Sequence, residues 1–307
     1  MVFWFEHDLY NQLQLLQVLD WFSGQNLGET TLSLIRIGSF PGIARFGGLG
    51  RLTPAQLASL FQERRPLTDR ALSLGQRAWA AVRSPDPLAV EQVIEEDTSA
   101  LPYLAPALVR HLERFPGLDD GLGRTERQIL QALDAGSRNP AEVFVHAAQE
   151  SDDPLFMADL PFWTYLAQLA RSAVPLVRRD DGGRFFLPHE VQDQQEFHGQ
   201  RLILTDVVDA VLQGDAGFVS LNGIDRWYGG VHLQGKEHDG AGIGGNSSLS
   251  SAPIDDSLKF CPSCGAALAP TAGSAVAVAR HRASSEAAEP EPEPWLGQRG
   301  CRRHPSF

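Results

Sequence analysis

The chain has 307 residues, of which 43% are hydrophobic and 21% are charged, enough for two ordinary domains with buried cores. Its formal net charge of −12 argues against a protein whose main partners are nucleic-acid phosphates or anionic membranes. No apolar run approaches the ~20 residues that cross a bilayer, and the N-terminus lacks the basic and small-residue features of a signal peptide. We therefore expect no membrane contact and a cytoplasmic location.

Residues 1–50 are predicted to form a βαβ unit. Residues 2–5 are a short apolar run typical of a strand, leucines then recur with helical spacing, and residues 31–37 alternate like a second strand. Two parallel strands do not make a stable sheet alone. The pattern therefore indicates a truncated, Rossmann-like remnant.

Residues 51–118 are predicted to be a helical region. Thr53, followed by a proline and by Gln56, is the arrangement of a capping box, and Thr68 is a second N-cap. Two further helices are expected near residues 88–96 and 105–114. This middle section shows no internal repeat.

Residues 119–235 follow the order of a winged-helix domain. Three helices are expected, the first two with caps at Thr125 and Asn139 and the third opened by Asp159, and a β-ribbon is expected from residues 174–179, 185–187 and 202–204. A closing helix over residues 205–212 completes the order. Residues 236–307 are rich in Gly, Ser and Glu-Pro repeats, and are predicted to be a mostly disordered tail around one cysteine knuckle.

Five stretches carry a family resemblance. They read Phe-Glu-His-Asp-Leu-Tyr, Phe-Pro-Gly-Ile, Leu-Thr-Pro-Ala-Gln-Leu, Gly-Leu-Gly-Arg-Thr-Glu and Leu-Asn-Gly-Ile-Asp-Arg-Trp at residues 5–10, 40–43, 52–57, 121–126 and 221–227. Over roughly residues 2–235 the chain resembles an uncharacterised bacterial family, domain-of-unknown-function family 1835. The resemblance implies further βα elements upstream in other members, and it brings no established activity.

Three ionisable residues, Glu6, His7 and Asp8, lie where the first strand ends and the helix begins. Open α/β sheets bind ligands at this edge, and these side chains could supply a general base, an orienting carboxylate or metal ligands. A catalytic role for all three is one hypothesis. Helix capping by Asp8, with Glu6 favoured by the helix dipole, is the structural alternative.

Arg178, Arg179 and Arg184 surround the turn of the predicted ribbon and could touch phosphate as a basic wing. Charge argues against DNA binding, because residues 122–235 hold nine arginines and no lysine against sixteen acidic residues. The predicted recognition helix also presents aromatic residues where a major-groove helix needs polar and basic ones.

Asp225, Arg226 and Trp227 follow a glycine turn. They combine an acidic and a basic residue, which can form ion pairs, with an aromatic residue. We expect this segment to return to the N-terminal domain and seal an interface, with Trp227 packed and Arg226 paired. A site shared with Glu6 and His7 is the alternative hypothesis.

Zinc is the cofactor that the tail suggests. Cys261 and Cys264 have the spacing of a zinc knuckle, and Cys301 with His304 is the nearby pair that would complete four ligands. Redox use of the Cys-x-x-Cys pair is less favoured, because no thioredoxin-like strand and helix frame it.

The sequence thus predicts an α+β protein with four parts: a Rossmann-like remnant, a helical middle, a winged-helix-like domain and a disordered tail. The favoured function is a non-enzymatic regulatory or protein-interaction module, with a protein partner rather than nucleic acid. The alternatives are a hydrolase or nucleotide-handling enzyme that uses Glu6, His7 and Asp8, and a winged-helix DNA-binding regulator.

Overall fold

In the computed structural model, which describes residues 1–152, 157–188 and 193–236, the chain opens with strand β1 (Val2–Glu6), helix α1 (Leu9–Ser23) and strand β2 (Ser33–Ile37). The two strands are parallel, with Val2 opposite Ser33 and Glu6 opposite Ile37. A two-residue strand, β3 (Arg65–Pro66), adds antiparallel to β2, so the sheet order is β1-β2-β3. The predicted strand, helix and strand are confirmed.

This sheet is covered on both faces. Side chains alternate across a strand, and Leu34 of β2 joins a core with α1, whereas Ile35 and Ile37 join a second core with Phe46 and Leu60. The α1 helix begins at the N-cap Asp8, whose carboxylate accepts from the Asn11 amide at 3.1 Å. The carboxyl edge of β1 is therefore pinned to the first turn of α1.

The middle of the chain is helical, as predicted. It contains α2 (Pro54–Leu60), α3 (Asp69–Val82), α4 (Leu88–Glu95) and α5 (Leu104–Leu112). Thr53 and Gln56 form the expected capping box, and the Thr68 hydroxyl caps α3. The α1 and α3 helices pack closely, because a Cβ on Gly75 would lie 2.6 Å from the Leu19 Cβ.

A second group of helices follows: α6 (Arg124–Asp134), α7 (Pro140–Phe144) and α8 (Asp159–Arg171). Asn139 caps α7 as predicted. The expected cap at Thr125 is wrong, since Gly123 is the N-cap of α6. Thr125 is buried and its hydroxyl accepts from the Arg110 guanidinium at 2.9 Å, so a tertiary contact occupies it instead.

After α8 the chain forms strand β4 (Val177–Arg179), helix α9 (Gln194–Gly199), strand β5 (Leu202–Leu204) and helix α10 (Val208–Leu212). Strands β4 and β5 are antiparallel. The run at residues 185–187 is not a strand, contrary to expectation. The Phe186 backbone N–H and C=O both bond at 3.0 Å to the buried Gln200 side-chain amide, which takes the place of a neighbouring strand.

The described chain ends with helix α11 (Phe218–Asn222) and a hairpin of β6 (Ile224–Tyr228) and β7 (Val231–Gly235). Although it is last in sequence, the hairpin shares a core with α1, α3 and α5 through Tyr228, Val231 and Leu233. A separate core joins α6, α8, β4, β5 and α10. The described residues therefore form an α+β fold, and none of their helices has the length and apolarity to cross a bilayer.

Candidate functional site

The β6–β7 hairpin separates its residues into two faces. Successive side chains of a strand point to opposite sides, and the inward set is Arg226, Tyr228, Val231 and Leu233, whereas the outward set is Asp225, Trp227, His232 and Gln234. Trp227 and His232 are directly opposite one another in the ladder. The predicted trio Asp225, Arg226 and Trp227 is therefore divided between the faces.

On the inward face, Arg226 is paired as expected. Its Nη1 donates to Glu126 Oε1 at 2.6 Å and to the Tyr228 hydroxyl at 3.2 Å. Burial lowers the pKa of Arg226, but the charges and hydrogen bonds of Glu126 and Tyr228 together outweigh it and raise the pKa above the ordinary value. Burial also raises the pKa of Tyr228 to about 12. Both groups keep their ordinary protonation states throughout the physiological range.

Tyr228 and two glycines fix the hairpin to the first half of the chain. The Tyr228 ring stacks on Phe115 with centroids 4.5 Å apart. The Gly230 N–H donates to the Val82 carbonyl at 2.8 Å, and a Cβ on Gly229 would lie 2.2 Å from the same oxygen. Only glycine permits this approach, so the turn is seated on the end of α3.

On the outward face, Trp227 is 64% exposed, so the expectation that it is packed is wrong. Its ring stacks on His232 with centroids 4.3 Å apart and planes within 1° of parallel. His232 Nε2 in turn lies 2.7 Å from Asp225 Oδ1. The indole is therefore exposed to solvent and held in orientation by its neighbours.

A groove of about 390 Å³ runs beside β6. One side is formed by the segment 222–226, and the other by the C-terminal end of α8 and residues 172–173. Ala167, Phe218 and Ile224 give it an apolar lining, and Gln168 and Arg171 add polar groups. Its volume and mixed lining are those of a small binding pocket.

Arg171 is the cation that α8 contributes to this groove. Its Nε donates to the Phe185 carbonyl at 3.0 Å, and its guanidinium lies 6.0 Å from the Phe185 ring centroid. Within residues 1–152, 157–188 and 193–236, no carboxylate forms an ion pair with Arg171. The side chain is positioned but its charge is not neutralised there.

A buried polar cluster joins α5 and α6 below the hairpin. Arg110 donates to Asp152 Oδ2 at 3.2 Å, and Gln128 donates to Asp152 Oδ1 at 2.9 Å. Arg124 approaches the same carboxylate at 2.9 Å. Burial lowers the pKa of Arg110, and the charge of Asp152 opposes this. The cluster ties α5 and α6 to Asp152.

The Glu6, His7 and Asp8 trio is brought together at the carboxyl edge of β1, but two members have structural partners. Glu6 Oε1 accepts from the Leu49 amide at 2.7 Å, and Gly48, at φ 102°, passes directly against this carboxylate. Asp8 accepts from both the backbone and the side-chain amide of Asn11. Glu6 holds the loop that contains Gly48 and Leu49, and Asp8 caps α1.

His7 is the remaining member. It is 6% exposed, lies 6.3 Å from the Phe46 ring and 6.1 Å from the Tyr103 ring, and neither ring nitrogen has a hydrogen-bond partner among the described residues. The trio and the 225–227 segment are not joined by any hydrogen bond or ion pair of the described residues. The alternative hypothesis of a shared site therefore gains no support from this geometry.

The arginines of the predicted basic wing have different surroundings. Arg178 and Arg184 are exposed, whereas Arg179 forms an ion pair with Asp181. The α8 helix buries most of its surface in the core that it shares with α6, β4, β5 and α10, and Thr164 and Gln168 are among its few exposed side chains. A narrow polar strip of this kind leaves few side chains that could reach base edges.

The proposed zinc ligands Cys261, Cys264, Cys301 and His304 lie outside the described residues. Within the described ranges, no group of three or more His, Cys, Asp or Glu side chains is arranged to hold a metal ion.

Sequence reasoning assigned no site role to Arg171, His232 or Tyr228. A signal for the last two was present, because a Gly-Gly pair flanked by alternating residues predicts a two-residue hairpin. That hairpin places Trp227 opposite His232 and sends Tyr228 inward. No sequence signal identified Arg171, since its role depends on the approach of β6 to α8.

No family model, curated protein or solved structure matches the chain. The resemblance to family 1835 therefore stays a prediction.

Proposed function

We propose that the protein is a protein-interaction module that binds an extended peptide segment along the outer edge of β6. The observation that carries this proposal is a two-stranded sheet whose outer edge borders the 390 Å³ groove, with an exposed tryptophan on the adjoining face. Partners that add a strand to a sheet edge gain affinity from backbone hydrogen bonds and specificity from side-chain pockets.

The backbone of β6 supplies the hydrogen-bonding groups. Residues of an antiparallel ladder alternate between bonded and non-bonded pairs. Because Tyr228 and Val231 close the two-residue turn, Asp225 and Trp227 occupy non-bonded positions and direct their backbone groups to the outer edge. Within the described part of the chain, no other residue bonds to those groups. An incoming strand would satisfy them.

Trp227 supplies the anchor. Tryptophan is enriched among the residues that dominate binding energy, since it brings a large rigid surface at low entropic cost. The stack on His232 already restricts the ring. A partner side chain that covers the free face of the indole would therefore gain contact area without the entropic cost of ordering the Trp227 ring.

The test is selection from a random-peptide library on the full chain, followed by affinity measurements on the enriched peptides. We expect Trp227→Ala to weaken binding roughly tenfold or more, in line with a central tryptophan anchor. Trp21→Ala is the matched control, because Trp21 is also 58% exposed but lies on α1. Equal binding by the wild type and the Trp227→Ala variant would contradict the proposal.

Backbone methylation of the peptide tests the mode of binding. A strand that adds to an edge uses every second N–H. Methylating one alternate set of peptide nitrogens should therefore abolish binding, while methylating the other set should leave it nearly unchanged. Insensitivity to both sets would exclude strand addition.

We also propose the two specific folds predicted from the sequence, a winged-helix-like unit and a Rossmann-like remnant. The order of α6, α7, α8, the β4–β5 pair and α10 supports a winged-helix-like unit. The parallel β1–β2 pair with α1 between them supports a Rossmann-like remnant. Three further statements stay predictions: membership of family 1835, zinc binding by the tail cysteines and a cytoplasmic location.

A hydrolase or nucleotide-handling activity at residues 6–8 is the second candidate, and His7 is the observation that favours it. A buried imidazole without a partner among the described residues is available to a ligand or a water molecule. Turnover of a phosphoester or carboxylester probe by the wild type and not by His7→Asn would support it. Equal turnover by both proteins would count against it.

DNA binding through Arg178, Arg179 and Arg184 is the third alternative, and the exposure of Arg178 and Arg184 is what supports it. Replacing Arg178 and Arg179 by alanine should then lower DNA affinity and reduce its salt dependence. An unchanged salt slope would argue against this alternative.

A further inference from the structure

The groove beside β6 is chemically asymmetric. Ala167, Phe218 and Ile224 are apolar, whereas Arg171 of α8 and Asp225 of β6 add opposite charges to the lining and do not form an ion pair with each other. Arg226 also lines it, but its guanidinium is already paired with Glu126. Arg171 is therefore the cation available to an occupant of the groove.

The surface around Arg171 adds positive charge. Arg171 bonds to the Phe185 carbonyl, which places it beside the segment that carries Arg184. Arg184 is exposed and forms no ion pair with another described residue. Arg171 and the neighbouring segment thus carry two arginines that no described carboxylate neutralises, on a chain whose net charge is −12.

We propose that Arg171 binds the carboxylate of an aspartate or glutamate side chain on the extended peptide that adds to β6. This inference rests on the proposed function, and it assigns Arg171 as a specificity-determining residue. The guanidinium fork matches a carboxylate with two parallel hydrogen bonds, and its Nε anchor to Phe185 leaves both Nη groups to donate.

The second charge of the groove fixes where the acidic side chain lies. Asp225 is on the strand side, and its carboxylate already accepts from His232 when that nitrogen carries the proton. A peptide carboxylate beside Asp225 would be repelled. The acidic residue must therefore lie at Arg171 and away from Asp225, while other side chains of the peptide cover Trp227.

The experiment uses peptides enriched from the random library on the full chain. We expect an aspartate or glutamate at one fixed position, and we expect its replacement by the matching amide to weaken binding roughly tenfold, as for a charged hydrogen-bonded pair. On the Arg171→Gln variant, the same replacement should have almost no effect. Arg178→Gln is the matched control, because it removes an exposed charge from β4 outside the groove lining and should preserve the full loss.

Failure of the carboxylate inference and failure of the proposed function give different results in this experiment. If the library yields peptides that need Trp227 but share no acidic position, or if acid-to-amide replacement costs the same on Arg171→Gln, the carboxylate inference is overturned while the proposed function stands. If no peptide is enriched, the proposed function fails and the inference fails with it. Arg171→Lys keeps the charge without the fork and should recover part of the affinity, and thermal unfolding of each variant identifies any loss of folding.

Discussion

The two faces of the β6–β7 hairpin differ although they are made by alternate residues of the same strands. Inward, Arg226 donates hydrogen bonds to Glu126 and to the Tyr228 hydroxyl, and the Tyr228 ring stacks on Phe115. Outward, Asp225, Trp227 and His232 contact mainly one another and remain exposed or half-buried. The comparison shows a rigid support beneath a preorganised surface.

This division explains how a two-stranded sheet is stable here. An isolated hairpin is marginal in water. The inward side chains join the core of α1, α3 and α5, and that packing stabilises the pair of strands. The outward residues are then free of a structural role, which is the property expected of a binding surface supported by a second layer.

The largest effect is expected from the inward aromatic residue. Tyr228 is 2% exposed and stacks on Phe115, so Tyr228→Ala should lower the free energy of unfolding by about 3–5 kcal/mol. Urea unfolding followed by circular dichroism measures this. Tyr228→Phe removes only the bond from Arg226 and should cost about 1 kcal/mol. A small loss for both variants would mean that the hairpin is not part of the core.

The buried ion pair should come next. Arg226→Ala leaves Glu126, which is 2% exposed, without its countercharge, and should cost roughly 3 kcal/mol. Combining Arg226→Met with Glu126→Gln removes both charges and should recover most of that loss. The matched control is Arg184→Ala, which removes an exposed arginine and should be close to neutral. Urea unfolding of the four proteins tests the coupling.

A buried histidine, His111, extends the comparison to pH. Burial, with a smaller contribution from Arg114, lowers the pKa of His111 from 6.5 to about 3. Between those values the unfolded chain binds a proton that the folded protein does not, so stability falls as the pH falls through this window. The loss from His111 should be about 2 kcal/mol between roughly pH 6 and pH 4.

The measurement is urea unfolding over that range for the wild type and the His111→Gln variant. His111→Gln should reduce the decline relative to the wild type, because the titrating group is gone. Parallel curves for the wild type and His111→Gln would show that His111 does not carry the pH dependence.

Much of the fold was predictable because its signals are local. The caps Thr53, Thr68 and Asn139 are where the sequence places them. Thr125 was wrong as a cap because its partner, Arg110, is distant in sequence. The strand expected at residues 185–187 failed for the same reason, since the Gln200 side chain substitutes for a strand. Local patterns do not show which long-range partner a polar group finds.

The candidate site was predictable only in part. The chemistry of Asp225, Arg226 and Trp227 was recognised, but their division between two faces follows from the register set by Gly229 and Gly230. A shift of one residue would exchange Arg226 and Trp227. The place of Arg171 in the groove depends on how α8 packs against β6. The hydrogen-bond partners of Glu6 depend on the path of the loop at Gly48.

The smallest effect on stability is expected from the residue that matters most for the proposed binding. Trp227→Ala removes a large side chain, but the ring is 64% exposed and its main contact, His232, is also on the outward face. The inward anchors at Tyr228 and Gly230 remain. The free energy of unfolding should therefore change by less than about 0.5 kcal/mol. A loss above about 1.5 kcal/mol in urea would place Trp227 among the structural residues of the hairpin, and the distinction between the two faces would then disappear.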